Sequence, residues 1–235
     1  MYFWRQRLWN MRKFYTIYIF LSLFVLSCSE IEETAVDLGY NYQPLAVGKS
    51  WVYAVNETIY FGASDAETSN YYYRDKVESD YFDEEGEQVF LIVREKSADQ
   101  SNWRPEKTFT YKISNGALIR HQDNRRLVPL VFPPAPGKTW DANVLNVSPE
   151  EYYQLQVLAQ YQLDDVDYRD VVKVVQQEED DQIVLRDRRY EVYAKEMGLV
   201  ESYYEVLNYC SRNDCLGQQI IESGRFTHLK LIEYE

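Results

Sequence analysis

Along most of the chain apolar and polar residues alternate one by one. In the stretch 50–61, Trp51, Tyr53, Val55, Ile59 and Phe61 share one side, and Ser50, Asn56 and Thr58 take the other. That is the period of two that sends successive side chains to opposite faces of a strand. A face so aromatic beside one so mixed predicts an antiparallel sheet with a buried side and a wetter side. Pro44 and Gly48 just ahead predict a turn into the strand, since proline fixes one backbone angle and glycine takes positive φ.

The same pattern predicts strands at 71–82, 88–95, 107–114, 117–121 and 127–132, and again at 168–176, 182–186, 189–194, 198–209 and 217–234. The small polar stretch 62–70 reads as a loop, and 83–87 as a turn. Asn115-Gly116 joins two strands and is the strongest short hairpin signal a sequence carries. At 152–163 two signals compete. Ser148-Pro149-Glu150-Glu151 looks like a helix cap, but Tyr153, Leu155, Val157, Ala159, Tyr161 and Leu163 interleave with Gln154, Gln156, Gln160 and Gln162. Only Leu158 breaks the period, so a strand is expected. Ser223-Gly224 interrupts the last run, as a hairpin or a bulged pair. No sustained helical stripe occurs beyond the leader, and the fold class is all-β with meander-like hairpins.

One motif returns. Pro44, Ala46, Gly48, Lys49 and Trp51 are echoed by Pro133, Ala135, Gly137, Lys138 and Trp140. The likeness fades beyond the two tryptophans, so it reads as recurring turn chemistry and not as a duplication.

The N-terminal end follows a different logic. Arg12 and Lys13 precede an uncharged, apolar-rich run at 14–26, long enough for a signal peptide and shorter than the roughly 20 residues that span a bilayer. Translation from Met11 would place both cations at the N-terminus. Val25-Leu26-Ser27-Cys28 resembles a bacterial lipobox, which implies a leader at 1–27 and a diacylglyceryl group on Cys28. The alternative is an ordinary cleaved leader beside a stray thiol. Residues 28–41 then form an acidic tether, and 42–235 a single β domain. Glu30, Glu32 and Glu33 resemble the surface-export signal of Bacteroidota-type lipoproteins, the alternative being a solvated linker. Ser29 does not match the inner-membrane retention signal. The expected location is the outer membrane, exposed at the cell surface or else facing the periplasm, with the lipid at Cys28 as the membrane contact.

Residues 1–27 hold Arg5, Arg7, Arg12 and Lys13 and no acid, so their removal takes the net charge from −13 to −17. Such a surface repels nucleic acid and anionic headgroups. Cys210 and Cys215 flank a polar four-residue loop, and in an exported chain they predict a disulfide, with two free thiols as the alternative. A metal site there lacks partners, because His121 and His228 are the chain's two histidines.

The opening Pro44-Leu45-x-Val47-Gly48-x-x-Trp51-x-Tyr53, the later Pro-Gly-x-x-Trp, and Tyr193-Ala194-Lys195-Glu196-Met197-Gly198-Leu199-Val200 resemble an uncharacterised family of Bacteroidota-type surface lipoproteins. The resemblance covers most of the chain after the leader and implies a curved antiparallel sheet of half-barrel form, with no known reaction. Relatives often carry glycine near Glu196 and valine near Met197, and here this chain departs.

No catalytic constellation emerges. Gly48-Lys49-Ser50 and Gly137-Lys138-Thr139 mimic the end of a phosphate loop, yet its earlier glycine is Gln43 in one and Phe132 in the other. Asp164-Asp165-Val166-Asp167 and Glu178-Glu179-Asp180-Asp181 lack calcium-loop spacing. No cofactor, metal or nucleophile is expected. The tyrosine doublets Tyr71-Tyr72-Tyr73, Tyr152-Tyr153 and Tyr203-Tyr204 remain, because neighbours on a strand face opposite ways and one ring of each pair is free to stack on a ligand. The expectation is a non-catalytic, lipid-anchored protein that binds an unidentified ligand or protein on one face of its sheet. The alternative is a carboxylate-dependent polysaccharide hydrolase, which requires two facing acids in a cleft.

Overall fold

The computed structural model describes residues 36–235. The leader at 1–27, Cys28 and most of the tether therefore lie outside the described residues.

Twelve strands follow one another: β1 (Ser50–Gly62), β2 (Asp65–Phe82), β3 (Gln88–Ser97), β4 (Arg104–Ser114), β5 (Ala117–Gln122), β6 (Arg125–Val131), β7 (Thr139–Asp141), β8 (Tyr152–Leu163), β9 (Val166–Asp180), β10 (Leu185–Ala194), β11 (Gly198–Tyr209) and β12 (Ile221–Tyr234). Each pairs antiparallel with its neighbour in sequence except across the β6–β7 join, and β12 pairs antiparallel with β1. The class is all-β as the alternation predicts, and the sheet curls into a nearly closed barrel. At the gap, Val128 N donates to Ala142 O at 3.0 Å and the Trp140 indole donates to Val128 O at 2.7 Å. The Asn146 amide serves both backbone groups of Arg126, at 3.0 and 2.7 Å. One side chain thus does the pairing of a further strand and blunts an edge that would otherwise invite other chains.

Two expectations change, and one left between two readings is resolved. The stretch 62–70 is no loop: β2 starts at Asp65 and carries a polar ladder, Asn56 to Asn70 at 2.8 Å and Thr58 to Thr68 at 2.9 Å. This part of the hairpin is mostly exposed or half-buried, so no apolar period marks it as a strand. Residues 182–194 hold one strand, because Asp181 accepts the N–H groups of Ile183, Val184 and Leu185 and folds 182–184 into the preceding turn. The last run is one strand, β12, with the extra residue of a bulge at Glu222 opposite Asn208 and Tyr209 of β11, the second of the two readings. In addition, residues 37–41, placed in the tether, pack on the sheet: Lys195 holds Asp37 at 2.7 Å, Tyr40 meets Phe132 edge-on at 5.0 Å, and Glu196 N donates to Asn41 O at 2.8 Å.

Trp51, Tyr53 and Val55 point inward and are buried, as the alternation of β1 predicts. They join Ile92, Phe109, Leu118, Leu130, Leu155, Val174 and Tyr193 in one apolar cluster. Two ion pairs are embedded beside it. Arg94 grips Asp75, and Arg120 reaches Glu191 at 3.1 Å while the Tyr193 hydroxyl donates to the same carboxylate at 2.6 Å. Burying a charge costs several kcal/mol (on the order of 3–5 when a partner is lost), which is why each arrives with its counter-charge.

The two copies of the turn motif occupy equivalent places. Gly48 N donates to Val77 O and Val77 N to Lys49 O, both at 2.9 Å; Gly137 N donates to Leu155 O and Leu155 N to Lys138 O, at 2.8 and 2.9 Å. Trp51 then faces Asp75 and Trp140 faces Tyr153, each two residues before the docking position on the next strand. The correspondence runs on. Phe90 pairs with Tyr111 and Val172 with Tyr193, and each of these buried tyrosines is followed five residues later by a hairpin glycine, Gly116 or Gly198. A Cβ on Gly116 would lie 3.1 Å from Phe132 O, and one on Gly198 would lie 3.4 Å from the Gln43 amide, the residue before the first proline of each motif. The likeness of placement thus extends past the tryptophans, along two successive runs of six strands, β1–β6 and β7–β12. The first half also reaches into the second: Asn41 and Trp51 bond to the β10–β11 hairpin, at Glu196 and Met197, whereas Phe132 N bonds to Gly116 O within the first half and extends the β5–β6 ladder.

Candidate functional site

Register places three rows of side chains on the outer face where β12, β1 and β2 lie side by side. Lys230, Ala54 and Tyr72 form the first, His228, Asn56 and Asn70 the second, and Phe226, Thr58 and Thr68 the third. Ala54 is the small member between two long side chains, and a cleft of about 480 Å³ opens there, lined among others by Asn56, Asn70, Tyr72, His228, Lys230 and Asp164. Asp164 comes from elsewhere. It sits at the β8–β9 turn, on a hairpin that stops pairing with β10 at Val171 and runs on past it to reach β11 and β12. The backbone turns out at Asp170, whose φ of 51° is left-handed.

Two contacts hold that hairpin down. Lys230 Nζ bonds both Asp164 oxygens at 2.8 and 2.9 Å, and the Tyr161 hydroxyl donates to Glu201 Oε2. Glu201 is a hub: its other oxygen accepts from Tyr190 at 3.0 Å and meets His228 Nε2 at 2.6 Å. Burial would raise its carboxyl, but the bonds from His228, Tyr161 and Tyr190 outweigh burial and hold it below its ordinary value. Burial, reinforced by the Glu201 charge, pushes the Tyr161 and Tyr190 hydroxyls up, so both stay protonated donors.

Beside the cleft runs an aromatic row. Tyr190 and Tyr203 stack at 5.0 Å with their planes 2° apart, and Tyr203 meets Phe226 and His228 edge-on at 5.5 and 5.3 Å. Lys173 lies over the outer Tyr190 ring at 3.7 Å. The doublets divide across the sheet as alternation requires. Tyr72 lines the cleft while Tyr71 is buried, Tyr203 joins the row while Tyr204 turns away, and Tyr152 is exposed while Tyr153 is buried.

Other expected positions are occupied by internal partners. Cys210 and Cys215 are joined in a disulfide with Cα atoms 5.8 Å apart. Asp180 accepts from Arg186 at 2.9 Å and Arg188 at 3.3 Å. Asp83, Glu85 and Glu87 cluster closely enough to hold a cation, and the Lys112 ammonium already stands among them at 2.9, 3.2 and 2.7 Å. The hydrolase alternative needs one carboxyl kept protonated as an acid. Among the described residues the buried acids are Asp75, Glu191 and Glu201, and each is tied to a cationic or hydroxyl donor. His121 is exposed and remote from Glu201 in the strand order.

No family model matches the chain, and no characterised relative is found. Two solved structures are similar to it in outline. One is a candidate lipoprotein of Parabacteroides distasonis, 10% identical with a TM-score of 0.40, covering 83% of this chain and 98% of its own. The other is a candidate exported protein with a YmcC-like fold from Bacteroides fragilis, 12% identical with the same TM-score of 0.40, covering 82% of this chain and 98% of its own. Likeness this distant says nothing about what the present cleft accepts.

Sequence reading missed Glu201, His228 and Asp164 as a group. They lie on β11, β12 and the β8–β9 turn, and only the outward path of that hairpin brings them together. Acids alternate with apolar residues in many strands here, so nothing local distinguishes Glu201.

Proposed function

We propose that the protein is an exported, lipid-anchored, non-catalytic binding protein that takes its ligand on the outer face of β12, β1 and β2. The observation that carries this reading is the cleft beside Ala54, where neutral polar side chains and an aromatic ring converge next to a half-buried aromatic row. Concave sites with a few convergent polar groups are where ligands bind. Anchoring at Cys28, in a Bacteroidota-type lipoprotein of the outer membrane, rests on the leader and the lipobox resemblance.

Mass spectrometry of the chain recovered from membranes tests the anchor. The expected species begins at Cys28 and carries acyl chains, and an intact leader with a free thiol would refute it. Saturation-transfer NMR with Tyr72→Ala as the comparison tests the face. Ligand contacts that survive in the variant would move the site elsewhere.

A further inference from the structure

The charged groups around the cleft are engaged locally. Lys230 is held by Asp164, and the Glu201 carboxylate is taken up by His228, Tyr161 and Tyr190, so none of them is left over to select an acid or a base. What remains is neutral. Asn56 and Asn70 share a single bond at 2.8 Å, which leaves amide donors and acceptors beside each other, and the Tyr72 hydroxyl has no partner among the described residues. Adjacent donor and acceptor groups on rigid strands match the neighbouring hydroxyls of a pyranose ring, and an aromatic face takes its C–H side. The aromatic row beyond His228 offers further rings for a longer chain.

From this geometry we infer that the ligand is a neutral oligosaccharide, held by Tyr72, Asn56 and Asn70 and extending toward Tyr203. The inference rests on the outer-face reading above and narrows it to a substrate class. An extended peptide fits poorly. Such ligands add to an open sheet edge, whereas β1 is flanked on both sides and Asn146 covers the β6 edge. Acidic polysaccharide would meet a strongly negative protein with no unmatched cation in the cleft.

The test titrates the full chain, purified in detergent, with maltohexaose, cellohexaose, xylohexaose and mannohexaose, and with hexagalacturonate as the acidic probe. Binding is read by calorimetry and saturation-transfer NMR. At least one neutral hexasaccharide is expected to bind, and Tyr72→Ala and Asn56→Ala each to weaken it roughly tenfold or more. Near-ultraviolet dichroism identical to wild type establishes that the variants are folded, and Tyr72→Phe, which removes only the hydroxyl, stands in if Tyr72→Ala is not. The inference falls if no neutral sugar saturates the protein at about 10 mM, if only hexagalacturonate binds, or if neither variant changes a neutral sugar's affinity. A peptide-library ligand lost in Tyr72→Ala, with no sugar bound, would overturn the sugar assignment and leave the binding face standing. Loss of both would take the face with it.

Discussion

Arg94 grips Asp75 inside the barrel through two parallel bonds, 2.6 Å to one carboxylate oxygen and 2.5 Å to the other. The guanidinium also lies over Tyr73 at 4.7 Å and Phe109 at 5.5 Å. Burial opposes its charge, but the Asp75 carboxylate more than compensates and keeps Arg94 protonated. Replacing Arg94 by Met strands an anion in the interior and is expected to cost about 3–5 kcal/mol. The double variant with Asp75→Leu should recover most of that loss. Urea unfolding of both variants checks it, and equal losses would show that the pair does not act as a unit.

Acid should loosen the β8–β9 hairpin first. Glu201 has a folded-state pKa below its ordinary 4.5, so its contribution is fully present above that value and is lost as pH falls through the lower folded value. Hydrogen exchange at the Tyr161 amide, followed from pH 7 downward, should rise below about 4.5 before global unfolding. Glu201→Gln should abolish this acid-side change and destabilise at neutral pH by about 1–3 kcal/mol, since an amide cannot accept three bonds as a carboxylate does.

Gly224 is irreplaceable. Its φ is 144°, and a Cβ there would stand 2.3 Å from Val206 O and 2.8 Å from Leu207 Cα, both backbone atoms of the partner strand β11. Gly224→Ala should cost more than about 3 kcal/mol or prevent folding. Gly86→Ala, where a Cβ meets nothing within 4 Å, should cost about 1–2 kcal/mol from the left-handed backbone alone. Thermal melts of the two distinguish close approach from conformational preference.

The disulfide closes a short loop, with a sequence separation of 5. Cys210→Ser with Cys215→Ser should lower stability by about 2 kcal/mol without unfolding the barrel, because chain-entropy gains grow with loop length. Identical far-ultraviolet dichroism and a modest drop in the urea midpoint are the expected result.

Strands such as β4 and β8 were legible because each buries one face, and burial on one side is what writes a period of two into a sequence. Where the β1–β2 hairpin leaves the core, Glu67, Thr68 and Asn70 carry no such imprint and the strand looks like a loop. The further correspondence was present in the letters, in Tyr111 and Gly116 against Tyr193 and Gly198, but it shows only as two residues at matched spacing. Structural equivalence here lies in backbone bonds, which many side chains satisfy. Tyr72 and Tyr203 were candidates as members of doublets. Their partners Asn56, His228 and Glu201 were not, because cross-strand neighbours far apart in sequence leave no local trace.

The reach of Asn41 and Trp51 onto the β10–β11 hairpin makes the barrel a clasp and not a pair of beads. A cut within 133–137 would give each fragment six strands, take Asn41 and Trp51 from the β10–β11 hairpin of the second, and part β1 of the first from β12 of the second. Neither piece should persist alone, yet the two mixed should knit together. Six strands on either side of the cut are whole only together.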